Sequence, residues 1–113
     1  MDTGKPSSVV MPFDITVTGT PTHPTVAVRG ELDVATSPRL RTELMVLLAR
    51  GATDITLEFG DVTFVDSSGL GVLVGTYKRM REEGTGTIRI AGTRPSVRKV
   101  FEITGLQSAL LVD

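Results

Sequence analysis

Apolar and polar residues alternate in the first part of the chain, which is the pattern of a β-hairpin. Phe13, Ile15 and Val17 alternate with polar residues, and this spacing predicts a half-buried strand over residues 13–18. A second apolar run over residues 26–28 follows a proline-containing turn. Because the connection is short, the two strands are predicted to be antiparallel.

Beyond the hairpin, the hydrophobic period switches between that of a helix and that of a strand. Ser37 as the cap residue and Pro38 as the first helical residue predict a helix start, four leucines mark its buried face, and Gly51 suits its end. Period two returns over residues 54–59, which predicts a third strand leading into the segment 61–83, and that segment opens with a strand-like run that ends in Val62, Phe64 and Val65.

The last third of the chain repeats the same alternation. Residues 87–91 predict a fourth strand, and Pro95 opens a short helix that Gly105 ends. Residues 110–112 predict a last short strand.

The predicted order of elements is therefore β-β-α-β-α-β-α-β. Strands separated by helices favour right-handed crossovers. We therefore predict a single α/β domain over residues 13–113, with a mixed, mostly parallel sheet and helices packed on it. Residues 1–12 are polar and predict a flexible N-terminal tail.

Composition narrows the possible classes of function. The 113 residues carry a net charge of −1, which favours neither nucleic acid nor an anionic membrane as a partner. The chain has no cysteine, which fits a reducing compartment, and it has no apolar run of the ~20 residues that span a bilayer. These observations predict a soluble cytoplasmic protein.

The segment 61–83 contains the most informative chemistry. Asp66, Ser67 and Ser68 supply side-chain acceptors where the third strand passes into a helix, as at a helix N-cap. The predicted buried stripe of that helix has helical spacing and consists of Leu70, Leu73, Val74, Tyr77 and Met80. Gly69 and Gly71 are poor helix formers, so the helix start is expected to need close approach or a bare surface.

The face opposite this stripe is interpreted as a flat docking patch. It holds Ser68, Val72, Gly75 and Arg79. Because Val72 is placed away from the core, Val72→Asp is expected to leave folding nearly unchanged and to weaken partner binding.

Catalytic and metal functions are not favoured by the residues. A serine nucleophile needs a base, and the only histidine, His23, lies in a proline-flanked turn, so we do not expect an enzyme. Glu31 and Asp33 follow a strand without further ligands nearby in the sequence, so neither a metal site nor a cofactor is expected.

A nucleotide-binding domain remains an alternative from a different class. Three glycines, Gly69, Gly71 and Gly75, follow a strand, but the third is one position late for a dinucleotide fingerprint. The acidic residue expected after the next strand is also missing. Equilibrium titration with GTP and ATP would test this alternative.

Three motifs together resemble a known family. Residues 64–73, FVDSSGLGVL, resemble the signature of STAS domains, and specifically of bacterial anti-sigma factor antagonists. Residues 30–33, GELD, resemble the turn after that family's second strand. Residues 94–101 and 104–106 resemble its later helix and helix exit. The three motifs occur in the family's order and cover the chain from about residue 13 to residue 112.

The resemblance implies a phosphorylation switch. The unphosphorylated form would bind an anti-sigma factor that is also a serine kinase, and would so release a sigma factor. The kinase would use ATP to phosphorylate Ser67, not Ser68, and a metal-dependent serine phosphatase would reverse the step. The implied partner surface comprises Glu31, Asp33, Asp66, Ser67, Ser68, Gly69, Val72, Gly75, Thr76 and Arg79. A STAS scaffold in another kinase network, or a regulator of a transporter, remains the alternative within the family.

One departure from the family pattern concerns the C-terminus. Family members usually continue past the last strand into a helix, whereas this sequence stops at Asp113. One flank of the sheet is therefore expected to expose apolar surface, which could support weak homodimerisation.

Overall fold

The computed structural model describes residues 12–84 and 86–113. The predicted N-terminal tail therefore lies, except for Pro12, outside the described residues. The elements follow one another as β1 (Asp14–Gly19), β2 (Pro24–Leu32), α1 (Ser37–Ala49), β3 (Asp54–Val65), α2 (Ser67–Glu82), β4 (Thr87–Ala91) and α3 (Pro95–Thr104).

The four strands form one mixed sheet in the order β1-β2-β3-β4. β1 pairs with β2 in antiparallel orientation, and the pairs β2–β3 and β3–β4 are parallel. α1 connects β2 to β3, and α2 connects β3 to β4. Right-handed crossovers that step across a sheet in the same direction put their helices on the same face, so α1 and α2 share one face of the sheet. The predicted α/β class and the mixed, mostly parallel sheet are confirmed.

The hydrophobic core lies on this helix-covered face. Alternate residues of each inner strand point into it, so that Val26, Val28 and Leu32 of β2 are almost completely buried. The intervening residues of β2, such as Arg29 and Glu31, are exposed on the opposite face. Among the described residues the helices cover one face only, so the opposite face of the sheet is exposed.

Helix boundaries agree with the sequence prediction at their C-terminal ends and differ at one N-terminus. Gly51 and Gly105 adopt positive φ angles of 99° and 75°, as predicted for residues that end helices. Ser37 is not the cap of α1; Thr36 occupies that position, and Ser37 is the buried first residue of the helix. The Thr36 hydroxyl instead hydrogen-bonds within the preceding turn, so no side-chain cap forms.

The third strand joins two predicted parts, whereas the prediction of a last strand is wrong. β3 runs without interruption from Asp54 to Val65, because its pairing with β2 continues past Gly60 with a shift in register. The predicted strand over residues 110–112 is absent as a strand. Residues 107–111 form turns instead, and Val112 makes one isolated parallel bridge to Ile90.

Candidate functional site

The candidate site lies where β2 and β3 end side by side. The two strands are parallel, and Leu32 is paired with Val65 at their carboxyl ends. The backbone N–H of Asp66 donates to the carbonyl oxygen of Leu32 over 3.2 Å. The turn after β2 and the first turn of α2 are therefore held together at one end of the sheet.

Asp66 caps α2, as the sequence predicted. Its carboxylate oxygen Oδ1 accepts hydrogen bonds from the backbone N–H groups of Ser68 at 2.8 Å and Gly69 at 3.2 Å. These are two of the four N–H groups that a helix start leaves without an intrahelical partner. The carboxylate therefore has a structural role, whatever it contributes to binding.

The two serines that follow differ in exposure. Ser67 is the first residue of α2 and is exposed, whereas Ser68 is half-buried. Neither serine hydroxyl forms a hydrogen bond within the described residues. Ser67 is therefore the hydroxyl more open to an external protein.

The glycines of α2 serve two different purposes. A Cβ atom added to Gly69 would lie 2.7 Å from Cγ of Leu32, so this glycine is required by close packing. A Cβ added to Gly71 or Gly75 would meet no atom within 4 Å. Those two glycines are exposed and leave the outer face of the helix bare. Both purposes considered from the sequence, close approach and a bare surface, are thus present.

The predicted position of Val72 on the docking patch is wrong. Val72 is only 3% exposed and belongs to the hydrophobic core, and Thr76 is buried at 6%. Gly69 is also buried, against Leu32. The buried stripe of α2 consists of Gly69, Val72, Leu73, Thr76 and Met80, which is rotated relative to the predicted stripe. The helix is turned because Gly69 must face Leu32, and Thr76 tolerates burial because its hydroxyl donates to the Val72 carbonyl at 2.8 Å.

The exposed stripe of α2 therefore differs from the predicted docking patch. Ser67, Gly71, Gly75 and Arg79 are exposed and recur at intervals of four residues. The Arg79 guanidinium lies 3.2 Å from the Glu83 carboxylate and 3.6 Å from the sulfur of Met45 in α1. We call this surface, from Ser67 to Arg79, the glycine stripe.

The turn after β2 is ordered by its own side chains. Gly30, two residues before the end of β2, has a φ angle of 97° and lies at a register shift of the β2–β3 ladder, as a glycine at a β-bulge does. Oδ1 of Asp33 accepts from the N–H groups of Ala35 at 2.9 Å and Thr36 at 3.0 Å. The Thr36 hydroxyl donates to the Glu31 carbonyl at 2.7 Å and accepts from the Asp33 N–H at 2.9 Å. Asp33 thus shapes the turn, while the Glu31 side chain is exposed.

Two exposed apolar residues at this end of the sheet were missed in the sequence prediction. Val34 is 73% exposed in the turn after β2, and Phe64 is 48% exposed near the end of β3. Phe64 is paired with Glu31 across the sheet. A sequence signal existed for both: Val34 is a branched aliphatic residue in a polar turn, and Phe64 precedes the inward-pointing Val65 in the strand. Their exposure adds apolar contact area to the candidate surface.

No group of three or more His, Cys, Asp or Glu side chains within residues 12–84 and 86–113 is arranged to hold a metal ion. In the same residues, no helix is both long enough and apolar enough to cross a bilayer.

Comparison with family models gives a match over almost the whole domain. The model described as STAS domain matches residues 14–112. Among curated proteins, the anti-sigma-B factor antagonist of Bacillus subtilis is 38% identical over 85 residues, which cover 75% of this chain and 76% of the relative. The anti-sigma-B factor antagonist of Staphylococcus aureus is also 38% identical, over 88 residues that cover 78% of this chain and 81% of the relative.

Solved structures show the same fold. A crystal structure of an anti-sigma factor antagonist from Mycobacterium paratuberculosis superimposes with a TM-score of 0.79 at 26% identity, covering 89% of this chain and 85% of that one. The anti-sigma factor antagonist SpoIIAA in its unphosphorylated form gives a TM-score of 0.75 at 26% identity, covering 90% of this chain and 88% of that one. The Bacillus cell fate determinant SpoIIAA in the phosphorylated form gives 0.68 at 26% identity, with coverage of 90% and 91%.

Proposed function

The chain belongs to the STAS domain family, and on that premise we propose that it is an anti-sigma factor antagonist controlled by phosphorylation of Ser67. In this proposal the unphosphorylated protein binds an anti-sigma factor that is also a serine kinase, and a sigma factor is released. The protein acts by binding and catalyses no reaction itself. The named relatives and the motif at Asp66-Ser67-Ser68 support this function.

One structural observation carries the proposal: the exposed Ser67 stands at the head of the bare glycine stripe. A kinase must reach the hydroxyl, and Ser67 is exposed whereas Ser68 is half-buried. Gly71 and Gly75 carry no side chain that would hold a partner away from the helix backbone. The residue to be modified and the surface to be recognised are therefore contiguous.

The proposed partner surface combines the glycine stripe with the turn after β2. Glu31, the exposed Val34 and the half-buried Asp33 contribute from the turn. Val72, Thr76 and Gly69 are buried, so they support this surface from beneath and do not contact the partner directly. The carboxylates of Glu31, Asp33 and Asp66 favour a partner that presents basic residues.

Phosphorylation would oppose binding through charge and desolvation. A phosphate adds about −1.5 to −2 charges at pH 7, next to the carboxylate of Asp66. Asp66 already accepts from the N–H groups of Ser68 and Gly69, so these groups are not free to bind the phosphate. A dianion trapped in an interface without a counterion costs several kcal/mol, which is enough to abolish micromolar binding.

One further protein, a phosphatase, completes the proposed cycle. The kinase transfers the phosphate from ATP to Ser67, and a serine phosphatase removes it, so that binding is restored. We place this exchange in the cytoplasm, where ATP and sigma factors are found.

The decisive experiment measures both modification and binding with the cognate anti-sigma factor. Each candidate anti-sigma factor kinase of the native cell is purified, and its affinity for the wild-type protein is measured by calorimetry. The complex is then incubated with ATP, and peptide mass analysis locates the phosphate. We expect modification at Ser67 and a loss of affinity of at least about 100-fold.

Ser67→Ala and Ser68→Ala form a matched pair of controls. Ser67→Ala should bind the kinase and resist phosphorylation, whereas Ser68→Ala should bind and still be phosphorylated. A phosphate found at Ser68 alone would overturn the assignment. Failure of every anti-sigma factor to bind the wild-type protein would refute the antagonist function and favour a scaffold in another network.

A further inference from the structure

The two edges of the sheet differ in how they are covered. At the β4 edge, the N–H of Ile90 donates to the carbonyl of Leu111, and the N–H of Asp113 donates to the carbonyl of Ile90. At the β1 edge, no strand of the described residues pairs with the outer side of Asp14–Gly19. Within residues 12–84 and 86–113, the sheet therefore has one partly covered edge and one edge without a partner strand.

The β1 edge has few of the features by which proteins block unwanted pairing, since its one charged residue, Asp14, is its first residue. Such edges are blunted by proline, lysine, bulges or short length. β1 has six residues, contains neither proline nor lysine, and pairs with β2 in continuous register from Asp14 to Gly19. Its centre, Ile15-Thr16-Val17, consists of β-branched residues that favour strands. This edge is suited to accept another strand.

Space for the side chains of an added strand exists beside this edge. A hollow of about 420 Å³ lies between Ile15 and the start of α1, lined by Pro38, Arg39, Thr42 and Glu43. A second hollow of about 200 Å³ lies beside Val17 and is lined in part by Leu47 and Arg50 at the end of α1. Ile15 and Val17 are two residues apart, which is the spacing of side chains on one face of a strand.

We propose that β1 pairs with β1 of a second copy of this chain, in antiparallel orientation about a two-fold axis at Thr16. In this register Ile15 faces Val17 of the second copy, Thr16 faces its own counterpart, and Asp14 faces Thr18. Each apolar residue meets an apolar residue, and no like charges are opposed. A two-fold interface uses the same surface on both copies, so this self-complementarity favours a second copy over an unrelated strand.

Charges on α1 are complementary across the same axis. Because the strands are antiparallel, the hollow beside Ile15 in one copy meets the hollow beside Val17 in the other. Glu43 from the first hollow and Arg50 from the second then line one shared space. Arg39 also lines the first hollow, but its guanidinium is engaged within its own chain, 5.0 Å from the centroid of the Phe13 ring and 3.4 Å from the Phe13 carbonyl oxygen. The symmetry forms this pair of opposite charges twice.

The paired dimer would leave both candidate sites free. β1 runs antiparallel to β2, so Asp14 lies toward the Ser67 end of the sheet and Gly19 toward the other end. An antiparallel β1–β1 contact therefore points the two Ser67 sites in opposite directions. Self-association and partner binding involve different surfaces, so one does not depend on the other.

Single cysteines test the register, because the chain contains no cysteine of its own. Thr16→Cys would place two thiols in directly facing positions, where Cα atoms of antiparallel strands lie about 4.5–5.5 Å apart and a disulfide can form. Thr18→Cys is the matched control on the same face, since its counterpart would lie roughly 13 Å away along the strands. Under mild oxidation, we expect Thr16→Cys to form covalent dimers at least about tenfold faster than Thr18→Cys. Equal rates would overturn the proposed register and interface.

Charge reversal tests the contact between the helices without altering the strand. In sedimentation equilibrium, Glu43→Arg and Arg50→Glu should each weaken dimerisation about fivefold or more, because two exposed ion pairs are lost. The double variant exchanges the two charges and should restore dimerisation to the wild-type level. A wild-type protein that remains monomeric at millimolar concentration, or a double variant weaker than either single one, would refute the proposal.

Discussion

Leu32 and Gly69 are in direct contact: the buried side chain of Leu32 occupies the space where any other residue at position 69 would have its Cβ. A Cβ added to Gly69 would lie 2.7 Å from Cγ, 2.9 Å from Cδ2 and 3.1 Å from the carbonyl oxygen of Leu32. Leu32 ends β2, and Gly69 lies in the first turn of α2. The contact therefore fixes the position of Ser67 relative to the sheet.

Gly69→Ala should destabilise the protein, although alanine favours helices. The added methyl group would overpack a buried contact, which costs roughly 1–3 kcal/mol. Gly71→Ala is the matched control in the same helix, and it should stabilise by up to about 1 kcal/mol because its surroundings are open. Urea unfolding of the two variants measures the difference. Equal effects on stability would show that Leu32 yields without cost.

Gly75→Ala tests whether Gly75 is required for partner binding or for the stability of the fold. The position is exposed and a Cβ there meets nothing, so the substitution should leave stability equal or raise it by up to about 1 kcal/mol. If the glycine stripe is the partner surface, the same methyl group should weaken binding of the anti-sigma factor by about tenfold. Calorimetric titration beside urea unfolding gives both values. Unchanged affinity would remove Gly75 from the interface.

Val72→Asp should unfold the protein or destabilise it by more than about 3 kcal/mol, since it would bury an unpaired charge. This reverses the expectation drawn from the sequence. Val34→Asp introduces the same chemical change at a residue that is 73% exposed, so its effect on stability should remain within about 0.5 kcal/mol. Val34→Asp should instead weaken partner binding. Circular dichroism melts of both variants decide the matter, and similar melting temperatures would contradict the burial of Val72.

Substitutions of Asp66 distinguish the role of its side chain as a hydrogen-bond acceptor from the role of its charge. Asp66→Ala removes the acceptor for the N–H groups of Ser68 and Gly69 and should cost about 1 kcal/mol. Asp66→Asn keeps a side-chain oxygen at the cap and should cost much less. Denaturant unfolding compares the two, and a loss in Asp66→Asn as large as in Asp66→Ala would mean that the charge, not the cap, supports the helix.

The ionised Asp54 carboxylate should stabilise the fold, and this stabilisation should be lost in acid. Hydrogen bonds from Thr87, then from Thr53, hold the pKa of Asp54 below its ordinary value of 3.8. The unfolded carboxyl binds its proton at higher pH than the folded one, so this stabilisation is present above the unfolded pKa and is lost as pH falls through the folded pKa. Asp54→Asn should therefore show a shallower loss of stability between about pH 5 and pH 2.

The control for this prediction keeps the carboxyl group and removes one donor. Thr87→Val deletes the hydroxyl that donates to Asp54 at 3.0 Å, so the pKa of Asp54 should rise toward its ordinary value. An NMR titration of the Asp54 carboxyl carbon in both proteins measures it. An unchanged titration midpoint would contradict the role of this hydrogen bond.

Phosphorylation of Ser67 should leave the fold nearly unchanged. The helix dipole favours a phosphate at the start of α2 by roughly 0.3–1 kcal/mol, and repulsion from Asp66 opposes it by about 1 kcal/mol. Thermal melts of modified and unmodified protein should differ by less than about 10 °C, since 1 kcal/mol moves the midpoint by roughly 4–8 °C. A larger shift, or loss of helical circular dichroism, would mean that the phosphate remodels the domain.

The order of elements and the capping of α2 could be predicted from the sequence because their signals are local. Period two marks the strands, and Asp66 lies directly before a run with helical spacing. The C-terminal strand could not be predicted in the same way. Residues 110–112 have strand-like composition, yet turns over residues 107–111 leave only Val112 in position to bridge to Ile90.

The rotation of α2 about its axis depends on tertiary contacts that the sequence does not reveal. The predicted and observed buried stripes share Leu73 and Met80, and both satisfy helical spacing. The observed stripe is selected by the packing of Gly69 on Leu32 and by the burial of Thr76. Neither Gly69 nor Thr76 is a large apolar residue. A pattern that counts only apolar residues therefore placed Val72 on the wrong face.

Hydrogen bonds order the turn after β2 and join the start of α2 to Leu32. This order affects how fast the protein can respond. A surface already ordered before binding loses little conformational entropy when a partner arrives. Such a surface needs no refolding step after the phosphate is removed from Ser67. The time course of the proposed switch would then follow the turnover of the kinase and the phosphatase, and the domain itself would add no delay.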